Sequence, residues 1–270
     1  YSGQRRRSDE LGATDKGIVM KQHYILPEGN VLISVSGGRK SGYMLHQILE
    51  ANGGLPDRVI VSFQNTGREM PATLDFVQEI SDRWSVPIIW LEFRPTKPLF
   101  KVVSHNSASR NGEPFSALIK KRQMLPNIAM RFCTQEMKVM ASRRYLIKHM
   151  GWNLWHNARG IRADESHRAT VGKDKRIINW HPLNDAGATK RDAHDFWESQ
   201  PFGLRLHDVD GVNPFGNCDG CFLKSEASKS LLFRLHPERG AWWENEENLR
   251  GATFRDLQPM CETRAMVERQ

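Results

Sequence analysis

Short apolar runs alternate with amphipathic stretches along the first hundred residues of the chain. Residues 31–35, 58–63 and 87–93 form three runs of strand length that are rich in aliphatic and aromatic side chains. Between them apolar residues recur at helical spacing, and Pro71 suits the first turn of the second helix. Strand–helix–strand order favours right-handed crossovers between parallel strands. The pattern therefore predicts an α/β fold with a doubly wound, mostly parallel sheet.

The periodicity weakens after the third run. Residues 95–130 are rich in Pro, Ser, Asn and Gly, which predicts a lid or an insertion over the functional site. A helix is predicted over residues 135–149, and two further strands are predicted near residue 155 and over residues 176–183. Thr189 and Asp192 have the spacing of a capping box, which predicts a helix beginning there.

The composition is that of a globular protein with a basic charge. The chain has 270 residues, 39% of them hydrophobic, and can bury one large core. A net charge of +8 favours a polyanionic partner, either nucleic acid or a phosphorylated small molecule, although the charge could serve solubility alone. No apolar run of about 18 residues and no apolar leader is present, so we expect a cytoplasmic protein without a membrane partner.

A glycine pair joins the first predicted strand to the first predicted helix, in the stretch SGGRKS. Glycine allows backbone N–H groups to approach an oxyanion closely, and the helix N-terminus adds partial positive charge. The stretch also offers hydroxyls and cations, so that six residues are candidates for phosphate binding: Ser36, Gly37, Gly38, Arg39, Lys40 and Ser41. An ordinary strand-to-helix turn is the alternative interpretation.

Four cysteines without a secretion signal indicate metal or redox chemistry rather than a disulfide scaffold. Cys218 and Cys221 form a CxxC motif in a loop rich in Gly and Asn, which can present two thiolates on one side of a turn. The four cysteines would make a complete thiolate set for a [4Fe–4S] cluster: Cys133, Cys218, Cys221 and Cys261. Structural zinc, free thiols and a redox-active pair are the alternatives.

Five stretches in this order resemble the phosphoadenosine phosphosulfate (PAPS) reductase family of the ATP-pyrophosphatase, or PP-loop, superfamily, in the branch common in phages. They are SGGRKS, NTGREMPATLDFV, RFCTQEMK, GIRADESHR and GNCDGCFLKS, and they lie within residues 31–224. Iron–sulfur clusters occur in related branches of the superfamily, in agreement with the cysteine set.

The resemblance implies that an adenine nucleotide binds with its phosphates on the SGGRKS loop and its adenosine near Asn65, Thr66 and Gly67. It also implies that Arg162 and Arg168 contact phosphate or sulfate oxygens. The residue chemistry agrees, because guanidinium groups can bind tetrahedral oxyanions through two parallel hydrogen bonds.

Two departures from the family pattern bear on the reaction. Lys40 stands where pyrophosphatase-type members carry an aspartate that helps to hold Mg²⁺. A lysine repels the metal and attracts phosphate, so we expect Lys40 to contact the nucleotide directly and to take part in catalysis without Mg²⁺. The chain also lacks the Glu-Cys-Gly-x-x-His segment of PAPS reductases, which leaves Cys261 as the candidate nucleophile or a cluster ligand.

The sequence thus predicts a basic flexible arm over residues 1–21, a nucleotide-binding α/β domain over residues 22–200, and a C-terminal segment over residues 201–270 that carries the CxxC motif and packs on the same domain. The leading interpretation of the function is reduction or cleavage of PAPS or adenylylsulfate, with a thiol or an electron-donor protein as a partner. ATP-dependent transfer of sulfur to nucleic acid is one alternative. A non-catalytic nucleotide-binding regulator or phage accessory protein is another. A second copy of the chain, in a homodimer, is a further candidate partner under each interpretation.

Overall fold

The structure is a computed structural model that describes residues 21–172, 174–209, 213–256 and 258–269. Apart from Lys21, the predicted basic arm lies outside the described residues, and everything below concerns the described part of the chain.

A mostly parallel six-stranded sheet confirms the predicted α/β class. Its strands lie in the order β4-β3-β2-β1-β5-β6. The strands are β1 (Val31–Val35), β2 (Val59–Asn65), β3 (Ile88–Phe93), β4 (Phe100–Val103), β5 (Trp155–Ala158) and β6 (Ile177–Trp180). β1 pairs in parallel with β5, and β5 pairs in parallel with β6, whereas β3 and β4 are antiparallel.

Helices fill most of the connections between the strands. They are α1 (Arg39–Asn52), α2 (Pro71–Arg83), α3 (Glu113–Arg122), α4 (Met140–Met150), α5 (Pro182–Asp185), α6 (Lys190–Ser199), α7 (Glu226–Leu235), α8 (Pro237–Arg250) and α9 (Met260–Glu268). A π-helical segment, Thr134–Val139, precedes α4, and a 3₁₀ segment, Ala163–Arg168, follows β5. Within the described ranges, no helix combines the length and the apolar character that a membrane span requires.

The region predicted to be a lid or an insertion contains regular structure. β4 and α3 both lie within residues 95–130, and β4 extends the sheet by pairing with β3. The hydrophobic pattern does not indicate β4, because the strand has only four residues and two of them, Lys101 and Val102, are exposed.

The described residues divide into two compact units. The first comprises the residues up to Val35, Arg39–Val61 and Asn153–Gly203. In it, α6 packs on α1, with the rings of Tyr43 and Phe196 5.2 Å apart and Trp197 Nε1 donating to the carbonyl of Arg39 at 2.7 Å. α6 begins with the predicted capping box of Thr189 and Asp192.

The second unit comprises Ser36–Gly38, Ser62–Trp152 and Leu204–Gln270. An aromatic cluster forms part of its core, in which the ring of Trp243 lies 5.6 Å from that of Phe115 and 5.0 Å from that of Phe254. The predicted boundary near residue 200 stays a prediction, and residues 204–270 belong to the same unit as residues 62–152.

Candidate functional site

The first unit carries a cluster of cations, the basic cluster, made of Lys40, Arg159, Arg162 and Arg168. Its position follows from the sheet, because β1 and β5 are parallel neighbours and the segments that follow them leave from the same edge. The segment after β1 enters α1 at Arg39, and the segment after β5 continues into the 3₁₀ segment. The two segments lie in contact, since a Cβ built on Gly160 would lie at van der Waals distance, 3.5 Å, from Ser41 Cα.

Three members of the basic cluster converge on one carboxylate, Glu165. Lys40 Nζ donates to Glu165 Oε2 at 2.6 Å, and Arg168 Nη1 donates to Glu165 Oε1 at 2.5 Å. Arg162 Nη2 lies 3.8 Å from Glu165 Oε2, too far for a hydrogen bond but close enough for an ion pair. The predicted phosphate ligands Lys40, Arg162 and Arg168 are therefore brought together, around a carboxylate that the sequence analysis did not single out.

The remaining charges leave the basic cluster positive. Arg162 also binds Asp164 through two hydrogen bonds of 2.8 and 3.0 Å, which raise the pKa of the guanidinium. Arg159 forms no ion pair among the described residues, and burial followed by the charge of Arg168 lowers its pKa. Four cations thus face two carboxylates, Asp164 and Glu165. An excess of two positive charges suits an anionic ligand.

Burial and charge act against each other on the central pair. Burial lowers the pKa of Lys40, an effect that Glu165 opposes and that Arg168 and Arg162 reinforce. Burial alone would raise the pKa of Glu165, but the hydrogen bond and charge of Lys40, with the charges of Arg162 and Arg168, lower it below its ordinary value. The carboxylate is therefore held in its charged form at neutral pH.

The glycine turn after β1 requires glycine at one position. Gly37 has φ +74°, and a Cβ there would lie 2.4 Å from Thr73 Cγ2. The tight turn that the glycine pair predicts is therefore present. Of the other residues predicted to bind phosphate, Ser36 is exposed, Gly38 and Arg39 are half-buried, and Ser41 is buried. Their role in phosphate binding stays a prediction.

In the second unit, the turn after β2 is held by its own side chains. The amide of Asn65 donates to Glu92 Oε1 at 2.7 Å and to the carbonyl of Ser109 at 2.8 Å, and its oxygen accepts from the N–H of Gly67 at 3.1 Å. Thr66 donates from both its backbone and its hydroxyl to Glu69 Oε2 at 2.8 Å. The side chains of Asn65 and Thr66 are thus engaged in shaping the turn, and their role toward adenosine stays a prediction.

A buried aspartate joins the CxxC motif to this turn. Asp219, between the two cysteines, accepts from Arg68 Nη2 at 2.8 Å and from Arg239 Nε, both on Oδ2. Its Oδ1 accepts from Trp243 Nε1 at 2.8 Å and from the N–H of Gly220 at 2.7 Å. We call Asp219, Arg68 and Arg239 the buried triad. It fixes the backbone of the CxxC loop and so sets where the two thiols lie.

Three of the four cysteines share an electrostatic environment with a lysine. Burial, followed by the charge of Glu69, raises the pKa of Cys218, and burial followed by the charge of Cys221 raises the pKa of Cys133. Burial would lower the pKa of Lys138, but Cys218, Glu69 and the other two thiols raise it. The hydroxyl of Thr66 lies 3.4 Å from Cys218 Sγ. Lys138 and Thr66 can stabilise a negative charge on sulfur.

The cysteines do not fit the predicted metal centre in this arrangement. Among the described residues, no three or more His, Cys, Asp or Glu side chains are grouped as a metal ion requires. Cys133, Cys218 and Cys221 are half-buried, whereas Cys261 is exposed in the first turn of α9. The cluster, its four ligands and the nucleophilic role of Cys261 stay predictions of the sequence, and nothing below depends on a bound metal.

The different burial of the thiols predicts their order of alkylation. At pH 8 we expect iodoacetamide to modify Cys261 at least about ten times faster than Cys218, because the thiolate is the reactive form and burial raises the pKa of Cys218. Timed quenching, digestion and mass spectrometry give the rate at each cysteine. The same reaction in about 8 M urea is the control, in which the rates should converge. Equal rates in the native protein would contradict the described environment.

Several residues that shape these sites had no assigned role in the sequence analysis: Arg68, Glu69, Lys138, Arg159, Glu165, Asp219 and Arg239. Most of them lie inside or directly beside stretches that the resemblance rests on. The sequence feature that could have identified them is a charged residue directly after a buried strand or between two cysteines. Their partners are distant in sequence, so the pairing required the structure.

Comparison with known proteins finds similarities in both sequence and structure. No protein-family model matches the chain. An uncharacterised nin region protein, ORF290, of Escherichia phage lambda is 28% identical over 233 residues, which cover 83% of this chain and 76% of the relative. The U34-tRNA thiolase NcsA from Methanococcus maripaludis, solved with its [4Fe-4S] cluster, aligns over 93% of this chain and 88% of its own at 15% identity and a TM-score of 0.43. A likeness at this level decides neither the fold nor the function of this chain. The similarity to a phage protein agrees with the phage branch named above.

Proposed function

We propose that the protein binds an adenine nucleotide through its phosphates at the basic cluster and acts in sulfur chemistry. The observation that supports nucleotide binding is the convergence of Lys40, Arg162 and Arg168 on a single anionic position. Together with Arg159 these cations outnumber the two carboxylates around them, Asp164 and Glu165, so that an excess of positive charge remains to attract a phosphate group. Lys138 lies in the electrostatic environment of Cys133, Cys218 and Cys221, and its ammonium group opposes the rise in pKa that burial causes in Cys133 and Cys218, which supports a role of these thiols in sulfur chemistry.

Two reactions are compatible with these groups. In the first, the nucleotide is PAPS or adenylylsulfate, and a thiol accepts the sulfur group. The replacement of a metal-binding aspartate by Lys40 supports it, because a lysine binds the added oxyanion directly. In the second, ATP adenylates an oxygen of a nucleic acid with release of pyrophosphate, and the sulfur of a sulfide-level donor then displaces that oxygen, which leaves as part of AMP. The net charge of +8 supports the second reaction, because it favours contact with a phosphate backbone.

Nucleotide binding is tested by removing one cation at a time. We expect Lys40→Ala and Arg162→Ala each to weaken ATP or PAPS binding about 10- to 100-fold, the effect of losing one charge-assisted hydrogen bond. Isothermal titration calorimetry with both nucleotides measures the affinities. Arg191→Ala is the matched control, since Arg191 is an exposed arginine of the same unit whose one ion pair within the described part of the chain is with Asp195. Its affinity should stay within about twofold of the wild type.

The calorimetry also separates the reactions. Tighter binding of PAPS or adenylylsulfate than of ATP supports sulfonucleotide reduction, and release of sulfite in the presence of a thiol would establish it. Preference for ATP, together with retention of RNA or DNA, supports sulfur transfer to nucleic acid. Binding without turnover of any of these substrates supports the regulator. If none of the nucleotides binds, the proposed function is wrong.

A further inference from the structure

Glu165 occupies the position at which a ligand's oxyanion would meet the basic cluster. Its two carboxylate oxygens accept from Lys40 at 2.6 Å and from Arg168 at 2.5 Å. Lys40 and Arg168 are also predicted to bind phosphate. A phosphate group and the Glu165 carboxylate therefore compete for hydrogen bonds from the same two donors. Only 18% of the Glu165 side chain is exposed, and the carboxylate is therefore packed among the cations rather than extended into solvent.

The fit of Glu165 to the cluster is incomplete. A carboxylate has two oxygens in a plane, and Arg162 is left 3.8 Å away, beyond hydrogen-bonding distance. A phosphate group has three terminal oxygens in a tetrahedral arrangement and can accept from three donors at once. Arg159, which has no ion pair among the described residues, adds a further positive charge. A phosphate would thus complete contacts that Glu165 leaves unmade.

The segment that carries Glu165 is suited to moving the carboxylate aside. No residue of the 3₁₀ segment Ala163–Arg168 is buried, so its displacement would lose little apolar packing. The segment is also interrupted at Glu165 itself, where φ is −119° and ψ is 21°, outside the helical range. The side chain therefore sits at a break between two short turns.

We propose that Glu165 is an internal counter-ion of the basic cluster, which the ligand's phosphate displaces on binding. This rests on the proposed function, and it adds a residue that sets the specificity of the site. A singly charged group gains little by replacing a carboxylate of equal charge, whereas a doubly charged phosphate gains from each of the surrounding cations. Glu165 thereby weakens the binding of every anion and favours multiply charged ones over singly charged ones.

Replacing the carboxylate by its neutral isostere tests the exchange. We expect Glu165→Gln to bind ATP about tenfold more tightly than the wild type in isothermal titration calorimetry, with adenosine binding unchanged, because only the phosphates compete with Glu165. Asp195→Asn is the matched control in the same unit, since Asp195 forms an exposed ion pair with Arg191, outside the basic cluster. Its ATP affinity should change less than about threefold.

The outcomes separate this proposal from the proposed function. If Glu165→Gln binds ATP no more tightly than the wild type, the counter-ion role is wrong. If binding by the wild type is nevertheless weakened by Lys40→Ala, the proposed nucleotide binding still stands. Absence of ATP binding in both proteins would overturn the two together. If Glu165→Gln does not fold, Glu165→Asp keeps the charge but withdraws it from Lys40 by one methylene, and its ATP affinity should also rise. A decrease for that variant would show that Glu165 positions the cations instead.

Discussion

Asp219→Asn is expected to lower the free energy of unfolding by about 3–5 kcal/mol, the range for breaking a buried ion pair by removing one partner. Asp219 is fully buried, and its carboxylate is the counter-ion of Arg68 and Arg239, whose side chains are 3% and 10% exposed. Burial lowers the pKa of Arg68, and Asp219 opposes that effect. Asparagine keeps the size of the side chain but leaves two guanidinium groups without a compensating charge.

Urea unfolding followed by circular dichroism measures the effect, and the slope of the free energy against urea concentration should stay unchanged. Asp195→Asn is the matched control, because Asp195 pairs with Arg191 on the exposed face of α6 with both side chains more than half exposed. It should change the free energy of unfolding by no more than about 1 kcal/mol. A loss below about 1 kcal/mol for Asp219→Asn would mean that the buried triad contributes little.

The same variant links stability to the thiols. Asp219 lies between Cys218 and Cys221, and its oxygens hold the loop through Arg68, Arg239, Trp243 and the N–H of Gly220. Loss of these contacts frees the loop, so alkylation of Cys218 in native conditions should become faster while that of Cys261 stays unchanged. Local opening exposes the groups whose contacts are lost first.

The elements with strong periodicity were predictable from the sequence. The apolar run over residues 31–35 coincides with β1, and the predicted strand over residues 87–93 differs from β3 by one residue. These strands are buried on both faces, so nearly every position is apolar and the pattern is unambiguous. β4 is a short edge strand with exposed positions, and its sequence carries no such pattern.

The charged sites were predictable only in part. Lys40, Arg162 and Arg168 belong to motifs and lie around one carboxylate in the structure, whereas their binding of phosphate stays a prediction. It could not show that Glu165 balances them, because an acidic residue in a charged loop is usually solvated. The buried triad was not predictable at all, since Arg68 and Asp219 are 151 residues apart and a charged residue beside glycine is typical of an exposed turn.

Trp243→Ala is expected to lower the free energy of unfolding by about 3–5 kcal/mol, as for other large aromatic side chains removed from a core. Trp243 is completely buried, with its ring centroid 5.0 Å from those of Trp242 and Phe254 and 5.6 Å from that of Phe115. Gly220 makes room for it, because a Cβ at Gly220 would lie 2.4 Å from Trp243 Nε1. Removing the indole leaves a cavity beside the CxxC loop.

Trp243→Phe separates packing from hydrogen bonding at this position. It keeps most of the aromatic contact and removes the 2.8 Å hydrogen bond to Asp219 Oδ1, so we expect a loss of about 1–3 kcal/mol in the same urea experiment. If packing alone held the loop, Cys218 would be alkylated faster in Trp243→Ala and at the wild-type rate in Trp243→Phe. Since the indole N–H also fixes Asp219, we expect faster alkylation of Cys218 in both variants. An unchanged rate in Trp243→Phe would assign the positioning of the CxxC loop to the two arginines of the buried triad.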